Sequence, residues 1–316
     1  MKFPHYLNHG PGALLACPLL VAKHCLLLGG RNSLWVNSMR KKLNSFITPF
    51  VNITSIELLI LSYLVPVDAK FKYMRLETRE RLKDLIETYE RTTMVMEHGA
   101  KKAIREEGRA YGGFIRSQKG QLQEFITTEL IGISWVNELK KAPGRLVINS
   151  EKIKIPIRHD YIIKIANKTV RDYIFQNIRR FYYGLSVDRH VFVDDTFIMG
   201  IECKAYAENA MLKRILVDFH LLKTKTPDLI CYLFQLESQL GGDYSILVKE
   251  PKGSFSSHSL MSYFQNVDLE IITLLPGERK VEKPINKPDF FKPLPLERLE
   301  NAVDHLVNGF ERAGVK

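Results

Sequence analysis

Two short apolar runs joined by an acidic turn constrain the fold of this 316-residue chain more than any other feature. The first run ends at Val193, the second starts at Phe197, and two aspartates lie between them. Nearly continuous apolar runs bounded by turn residues are typical of strands that are buried on both faces of a sheet. We therefore predict a β-hairpin in which residues 187–193 form one strand and residues 197–204 form the returning strand.

Three charged side chains interrupt this apolar hairpin. Asp188 opens the first strand, and Glu202 and Lys204 lie near the end of the second. Because side chains alternate across a strand, Glu202 and Lys204 share one face while Cys203 points to the other. A two-residue turn without a bulge would place Asp188 opposite Ile201 and away from Glu202. A three-residue turn or a β-bulge would place Asp188 opposite Glu202, and we predict this second arrangement.

The spacing of an acid and a lysine two residues apart is by itself a weak signal. The chain contains it at five positions, which begin at Asp68, Glu138, Glu202, Glu250 and Glu278. Four of the five fall in segments that we predict as helix ends, loops or turns, where solvated charge is ordinary. Only Glu202 and Lys204 interrupt an apolar strand that has an acidic partner strand. The alternative interpretation, a salt bridge on an edge strand, remains open.

Asp188, Glu202 and Lys204 resemble the catalytic signature of the PD-(D/E)xK nuclease superfamily, with Val187 at the position of the motif's proline. Within it, the chain most resembles type II restriction endonucleases. This resemblance implies an α/β fold, a restriction-endonuclease-like central mixed β-sheet flanked by helices, preceded by a helical N-terminal region. It also implies one Mg²⁺ held by Asp188, Glu202 and the backbone carbonyl of Cys203, because Mg²⁺ prefers oxygen ligands. Lys204 would orient or activate the attacking water.

The function that follows from this resemblance is Mg²⁺-dependent hydrolysis of DNA phosphodiester bonds, in a short specific double-stranded sequence. We expect a homodimer and a cognate DNA methyltransferase in the same system. Two alternatives remain open. A repair, recombination or transposition nuclease would use the same residues on another DNA shape, and a non-catalytic basic DNA-binding protein would bind DNA without Mg²⁺.

Glu124 is a further candidate metal ligand, near the start of a helix that we predict over residues 121–139 from its apolar spacing. In many restriction endonucleases that this chain resembles, a glutamate on an N-terminal helix points into the site. The alternative is an exposed acid that is favoured by the dipole at the start of the helix. The sequence does not choose between the two.

Five polar residues are weaker candidates for DNA contacts. A formal net charge of +11 favours a polyanionic partner, with nucleic acid as the natural candidate. Basic side chains near the start of the Glu124 helix could bind a phosphate. In the enzymes that this chain resembles, the region after the strand that carries Glu202 and Lys204 often contacts DNA. The candidates are Arg116, Lys119, Asn209, Lys213 and Arg214.

We predict four segments along the chain. Residues 1–38 are an N-terminal extension that fits poorly with the rest, and we expect translation to start at Met39. Residues 39–110 are a helical region, residues 111–275 the nuclease core, and residues 276–316 a linker with a last helix over 295–312. We also predict a small hairpin within 146–157, a helix over 168–183, a helix directly after Lys204, and strands over 228–236 and 267–275.

The same reading gives expectations about the cellular setting. Four cysteines without CxxC spacing indicate a reducing cytoplasm. The apolar stretch between residues 12 and 30 is too short and too interrupted by Pro18, Lys23 and His24 to span a bilayer, so we expect no membrane partner.

Overall fold

The computed structural model describes residues 74–107, 110–241 and 253–315. The predictions on residues 1–38 and on Met39 lie outside these ranges. Two long helices open the described part, α1 (Leu76–Glu107) and α2 (Tyr111–Ile133), and α2 continues into a π-helical turn at Ser134–Glu138. In α1 the buried Leu82, Leu85 and Tyr89 recur at intervals of three and four residues, which places them on one helical face. The predicted helical character of this region is confirmed for the part that is described.

Seven strands can be traced through the described residues, in chain order. They are β1 (Leu146–Asn149), β2 (Ile153–Ile155), β3 (Tyr183–Leu185), β4 (Arg189–Val193), β5 (Thr196–Glu208), β6 (Ile230–Gln239) and β7 (Leu269–Thr273). Five of them form one sheet in the order β1-β4-β5-β6-β7, and β2 pairs separately with β3. β4 is antiparallel to both β1 and β5, whereas β5, β6 and β7 run parallel. The predicted α/β class with a mixed sheet is confirmed.

The remaining described helices follow the strands. They are α3 (His159–Ile163), α4 (Lys168–Gln176), α5 (Asn209–Lys225), α6 (Phe255–Ser262) and α7 (Leu296–Arg312). α5 connects β5 to the parallel strand β6, as the sequence predicts for a βαβ crossover. α7 matches the predicted last helix. No helix in the described ranges is both long and apolar enough to cross a bilayer.

Three local predictions are wrong. The hairpin predicted within residues 146–157 does not form, because β1 pairs with β4 and β2 pairs with β3. The helix predicted over 168–183 ends at Gln176 and is followed by a 3₁₀ turn, Ile178–Phe181. The chain after Lys204 stays extended to Glu208, and α5 begins only at Asn209. In the first and third cases, pairing with a strand distant in sequence overrides the local pattern.

The sheet lies between two apolar layers. On one side, side chains of β4, β5 and β6 pack in one cluster with α1, α2 and α7, and the fully buried Trp135 contacts Phe310 there. On the other side, β6 packs in a second cluster with α5. A Cβ at Gly200 would lie 2.8 Å from the Phe219 ring, so α5 approaches β5 closely because Gly200 has no side chain. Burial of a side chain such as Phe219 stabilises the fold by about 1.5–3 kcal/mol.

Candidate active site

The hairpin between β4 and β5 is closed by a tight acidic turn. Val193 pairs with Thr196, which leaves Asp194 and Asp195 as a two-residue loop. Both aspartates have positive φ angles, 48° and 64°, as type I′ hairpin turns require. Arg145 donates to both carboxylate oxygens of Asp194, from Nε at 2.9 and 3.1 Å and from Nη2 at 2.5 Å. The turn is therefore tied to the chain just before β1.

A β-bulge sets the register of the hairpin. The pairing of β5 with β4 slips by one residue at Ile198, and beyond that point Arg189 lies opposite Ile201. One step further along the strand, Asp188 comes opposite Glu202. The bulge predicted from the sequence is confirmed. It brings an acid from before β4 to the acid and lysine of β5.

Three oxygen atoms converge on the ammonium of Lys204. Its Nζ lies 2.6 Å from Glu202 Oε1, 3.0 Å from Asp188 Oδ2 and 3.1 Å from the backbone oxygen of Cys203. The backbone N–H of Cys203 also donates to Asp188 Oδ2 at 2.7 Å. We call Asp188, Glu202 and Lys204 the catalytic cluster, after the role that the sequence analysis predicts for them. Its side chains are mostly buried, with 28% of Asp188, 12% of Glu202 and 28% of Lys204 exposed.

The electrostatics of the cluster follow from this geometry. Burial, and then the charge of Asp188, raise the pKa of Glu202, while Lys204 opposes that rise. Burial alone would lower the pKa of Lys204, but the charges of Glu202 and Asp188 outweigh it and raise that pKa. Lys204 therefore carries a positive charge at neutral pH, and the two carboxylates hold a cation between them.

The converging oxygens have the chemistry of a site for a hard divalent cation. Mg²⁺ binds through one or two carboxylates and retains several waters, and the carbonyl of Cys203 adds a third oxygen. Within the described ranges, no group of three or more His, Cys, Asp or Glu side chains has metal-binding geometry. Asp188 and Glu202 supply only two side-chain ligands, and the Cys203 carbonyl supplies one backbone ligand. This small set fits an ion that retains some of its waters. The ammonium of Lys204 lies where a cation is stabilised.

Glu124 does not take part in this convergence. Its Oε2 forms an ion pair at 3.1 Å with Arg189 Nη1, and the same nitrogen donates to the Asp188 carbonyl at 2.6 Å. Arg189 Nε donates to Thr128 Oγ1 at 2.8 Å. Arg189 thus joins α2 to the backbone of Asp188, a role that the sequence analysis missed. The available signal was an arginine directly after the acid, which alternation places on the opposite face of the strand.

The candidate DNA contacts on α5 lie in different settings. Asn209 accepts a hydrogen bond from Ser257 Oγ at 2.7 Å, so its side chain links the start of α5 to α6. Lys213 is exposed. Arg214 is largely exposed and lies 3.6 Å from Asp218, one helical turn away. Their role in DNA binding stays a prediction, and for Asn209 the structure adds a packing role.

The candidates on α2 differ in burial. Arg116 is exposed, whereas Lys119 is half-buried. Burial lowers the pKa of Lys119 to about 8, the charge of Glu237 raises it, and the charge of Arg279 lowers it further. Lys119 therefore lies close to a second group of charges, Glu237 near the end of β6 and Arg279.

Comparison with known proteins identifies the family. No family model matches the sequence. Type II restriction enzyme DdeI of Desulfomicrobium norvegicum is 58% identical over 233 residues, which are 74% of this chain and 97% of the relative. A solved structure described as the native BbvCI A2B2 tetramer at low resolution covers 77% of this chain and 97% of its own. It has 12% sequence identity and a TM-score of 0.28, too low to establish a shared fold. The similarity to DdeI confirms the predicted enzyme class: the chain belongs to the type II restriction enzymes, a family of site-specific DNA endonucleases.

Proposed function

We propose that this protein hydrolyses phosphodiester bonds of double-stranded DNA at a short specific sequence, with Mg²⁺ as cofactor. The observation that carries the proposal is the convergence of two carboxylate oxygens and one carbonyl oxygen on the ammonium of Lys204. The similarity to DdeI supports the reaction class. The restriction-endonuclease-like form of the fold, and membership of the PD-(D/E)xK superfamily, belong to the same proposal.

Each residue of the catalytic cluster has a separate task in this reaction. Asp188, Glu202 and the carbonyl of Cys203 would hold the Mg²⁺. When bound, the ion supplies Lewis-acid stabilisation of charge on the phosphate and lowers the pKa of a water. Lys204 carries a fixed positive charge beside the carboxylates. It would donate to the attacking water or to a phosphate oxygen, and so offset the negative charge that grows at phosphorus.

Arg189 links the catalytic cluster to α2. Its hydrogen bond to the Asp188 carbonyl and its ion pair with Glu124 hold the start of β4 against α2. Groups that orient metal ligands in this way affect metal affinity and activity although they touch neither metal nor substrate. Glu124 would act through Arg189 as a positioning residue, and the alternative role of a direct metal ligand requires the Arg189 pair to open.

The wider setting follows from the family. We propose a homodimer that binds a palindromic site, since a two-fold symmetric protein matches a two-fold symmetric sequence. A cognate DNA methyltransferase would protect the host sequence. Arg116, Lys119, Lys213 and Arg214 remain candidates for DNA contacts on α2 and α5, and Asn209 is a weaker one because it is engaged with Ser257.

The decisive experiment is incubation of the purified protein with plasmid and phage DNA, over a series of Mg²⁺ concentrations and with EDTA. We expect discrete fragments that require Mg²⁺, and mapping of their ends would define the target sequence. Binding without cutting at every Mg²⁺ concentration would favour the non-catalytic DNA-binding alternative. Cutting confined to junctions, flaps or transposon ends would favour a repair, recombination or transposition nuclease.

A further inference from the structure

An arginine from another part of the chain stacks on β5 just beyond Lys204. β5 continues past Lys204 to Glu208, and Tyr206 lies two residues after Lys204. The guanidinium carbon of Arg279 lies 3.7 Å from the centre of the Tyr206 ring, within the distance of a cation–π contact. Both side chains are half-buried. The ring holds the guanidinium in one plane, which reduces the entropy that a later contact would cost.

Arg279 retains most of its hydrogen-bonding capacity. Its Nη1 donates to Gln239 Oε1 at 2.5 Å, and its backbone N–H donates to the carbonyl of Ser238 at 2.8 Å. A guanidinium has five N–H donors in a fixed fork. Among the residues that the structure describes, no carboxylate lies within 4.0 Å of this group. Arg279 therefore presents an oriented positive charge without an ion-pair partner on the described part of the chain.

The surroundings of Arg279 have an excess of positive charge. Among the described residues, Glu237 acts on Lys119 and forms an ion pair at 2.6 Å with Lys292. The carboxylate of Glu278, next to Arg279 in the sequence, accepts from the Gly241 N–H at 3.2 Å. The cations Lys119, Arg279 and Lys292 thus outnumber these two carboxylates. We call these three residues the basic cluster. A local excess of cations is relieved by a bound anion.

Tyr206 places the stacked arginine near Lys204, since the two residues lie two positions apart on β5. Two residues along a β-strand span about 6.8 Å, and two base pairs along a DNA helix rise by about the same length. Resting on the proposed cleavage of DNA, we propose that Arg279, held on Tyr206, binds a backbone phosphate close to the one that is cleaved, with Lys119 as a second cation. A phosphate suits Arg279 and Lys119 together better than a guanine edge does. One guanidinium already satisfies both acceptors of a guanine and leaves none for the lysine.

The test is the salt dependence of DNA binding in EDTA, where no cutting occurs. Fluorescence anisotropy would be measured with a short labelled duplex that carries the mapped cleavage site and with a duplex that lacks it. For Arg279→Gln we expect about tenfold weaker binding to both duplexes. The slope of log Kd against log salt should also fall by about one.

Lys225→Gln is the matched control, because it removes one positive charge at the exposed end of α5, where the crossover reaches the opposite end of the sheet. It should leave the slope unchanged. Tyr206→Phe keeps the ring and should bind like the wild type, whereas Tyr206→Leu should bind about threefold more weakly. Arg279→Lys should keep the slope but lose affinity, which separates the role of the charge from a folding defect.

The outcomes separate the two proposals. If the wild type cuts neither plasmid nor phage DNA at any Mg²⁺ concentration, the proposed function fails and takes this inference with it. If the wild type binds but Arg279→Gln has the wild-type slope, this inference alone is overturned. A normal slope combined with relaxed sequence preference at one base pair would also overturn it, since that pattern indicates contact with a base edge.

Discussion

The pKa values of two half-buried lysines in this protein shift in opposite directions. Lys204, between Glu202 and Asp188, has a raised pKa although burial disfavours its charge. Lys119 has a pKa lowered to about 8, because burial is not balanced by the more distant Glu237 and Arg279 adds a like charge. Burial alone thus does not decide the state of a buried lysine; its charged neighbours do.

The difference extends to the two clusters in which these lysines lie. In the catalytic cluster two carboxylates surround one ammonium, so a cation is stabilised there. In the basic cluster the cations Lys119, Arg279 and Lys292 outnumber the carboxylates of Glu237 and Glu278 beside them, so an anion is stabilised. The proposed Mg²⁺ and the proposed DNA contact would use these two opposite fields. Substitution of either lysine, or of the arginine beside it, tests whether the two clusters have these separate roles.

The largest effect is expected for Lys204→Ala. Loss of the ammonium leaves Asp188 and Glu202 without their fixed counter-charge and removes a donor to the reacting phosphate or water. Cleavage should fall by at least about 10²–10³-fold, whereas DNA affinity should stay near that of the wild type. Plasmid cleavage under single-turnover conditions and anisotropy in EDTA measure the two quantities.

Lys225→Ala serves as the control for this variant, since it removes a lysine from the exposed end of α5. It should cut like the wild type. If Lys204→Ala cuts DNA at the wild-type rate, the proposed catalytic role of Asp188, Glu202 and Lys204 is wrong.

A smaller effect is expected for Arg189→Ala. The change frees Glu124 and the Asp188 carbonyl, so the ligands lose their support while remaining present. Cleavage should fall by about 10–100-fold, and the Mg²⁺ concentration needed for half-maximal rate should rise. The rate is measured over a Mg²⁺ titration, with Glu124→Gln in parallel.

The two variants distinguish the roles of Glu124. If Glu124 acts only through Arg189, Glu124→Gln should be no worse than Arg189→Ala. A much larger rise in Mg²⁺ requirement for Glu124→Gln than for Arg189→Ala would show that Glu124 is a metal ligand in its own right.

The smallest effect concerns the pH dependence of DNA binding through Lys119. Below its pKa of about 8 this lysine is positive, and it loses that charge as the pH rises through the value. Its charged neighbours are Glu237, which is paired with Lys292, and Arg279. Wild-type affinity should fall by about threefold between about pH 7 and about pH 9 at constant ionic strength. Lys119→Gln should show a flatter profile; an equal fall in both proteins would contradict the role of Lys119.

The catalytic cluster could be predicted from sequence because its information is local. Alternation along β5 places Glu202 and Lys204 together, and the need to use Asp188 predicts a three-residue turn or a bulge, of which the structure has the bulge, at Ile198. Arg189 was missed because its partner Glu124 lies on another element, far away in the sequence. No periodicity connects such residues, and only the packing of α2 against the sheet brings them together.

The sequence predicts the elements of the fold better than their pairing. Apolar runs locate the strands that become β4, β5, β6 and β7, but they carry no information about which strand pairs with which. The chain around Ile153 has the pattern of a hairpin, and yet its partner is the distant strand β3. Arg279 lies in a segment rich in proline and lysine that resembles a linker, so its stacking on Tyr206 has no local signature.

The bulge at Ile198 makes activity depend on the number of residues in the hairpin as well as on their identity. Deletion of one residue from β4, with the bulge retained, would leave the hydrophobic composition almost unchanged. It would move Asp188 into the place of Arg189, opposite Ile201, where its side chain faces the other side of the sheet. Such a chain could keep its fold and lose its chemistry, so this hairpin should tolerate many substitutions and very few changes of length.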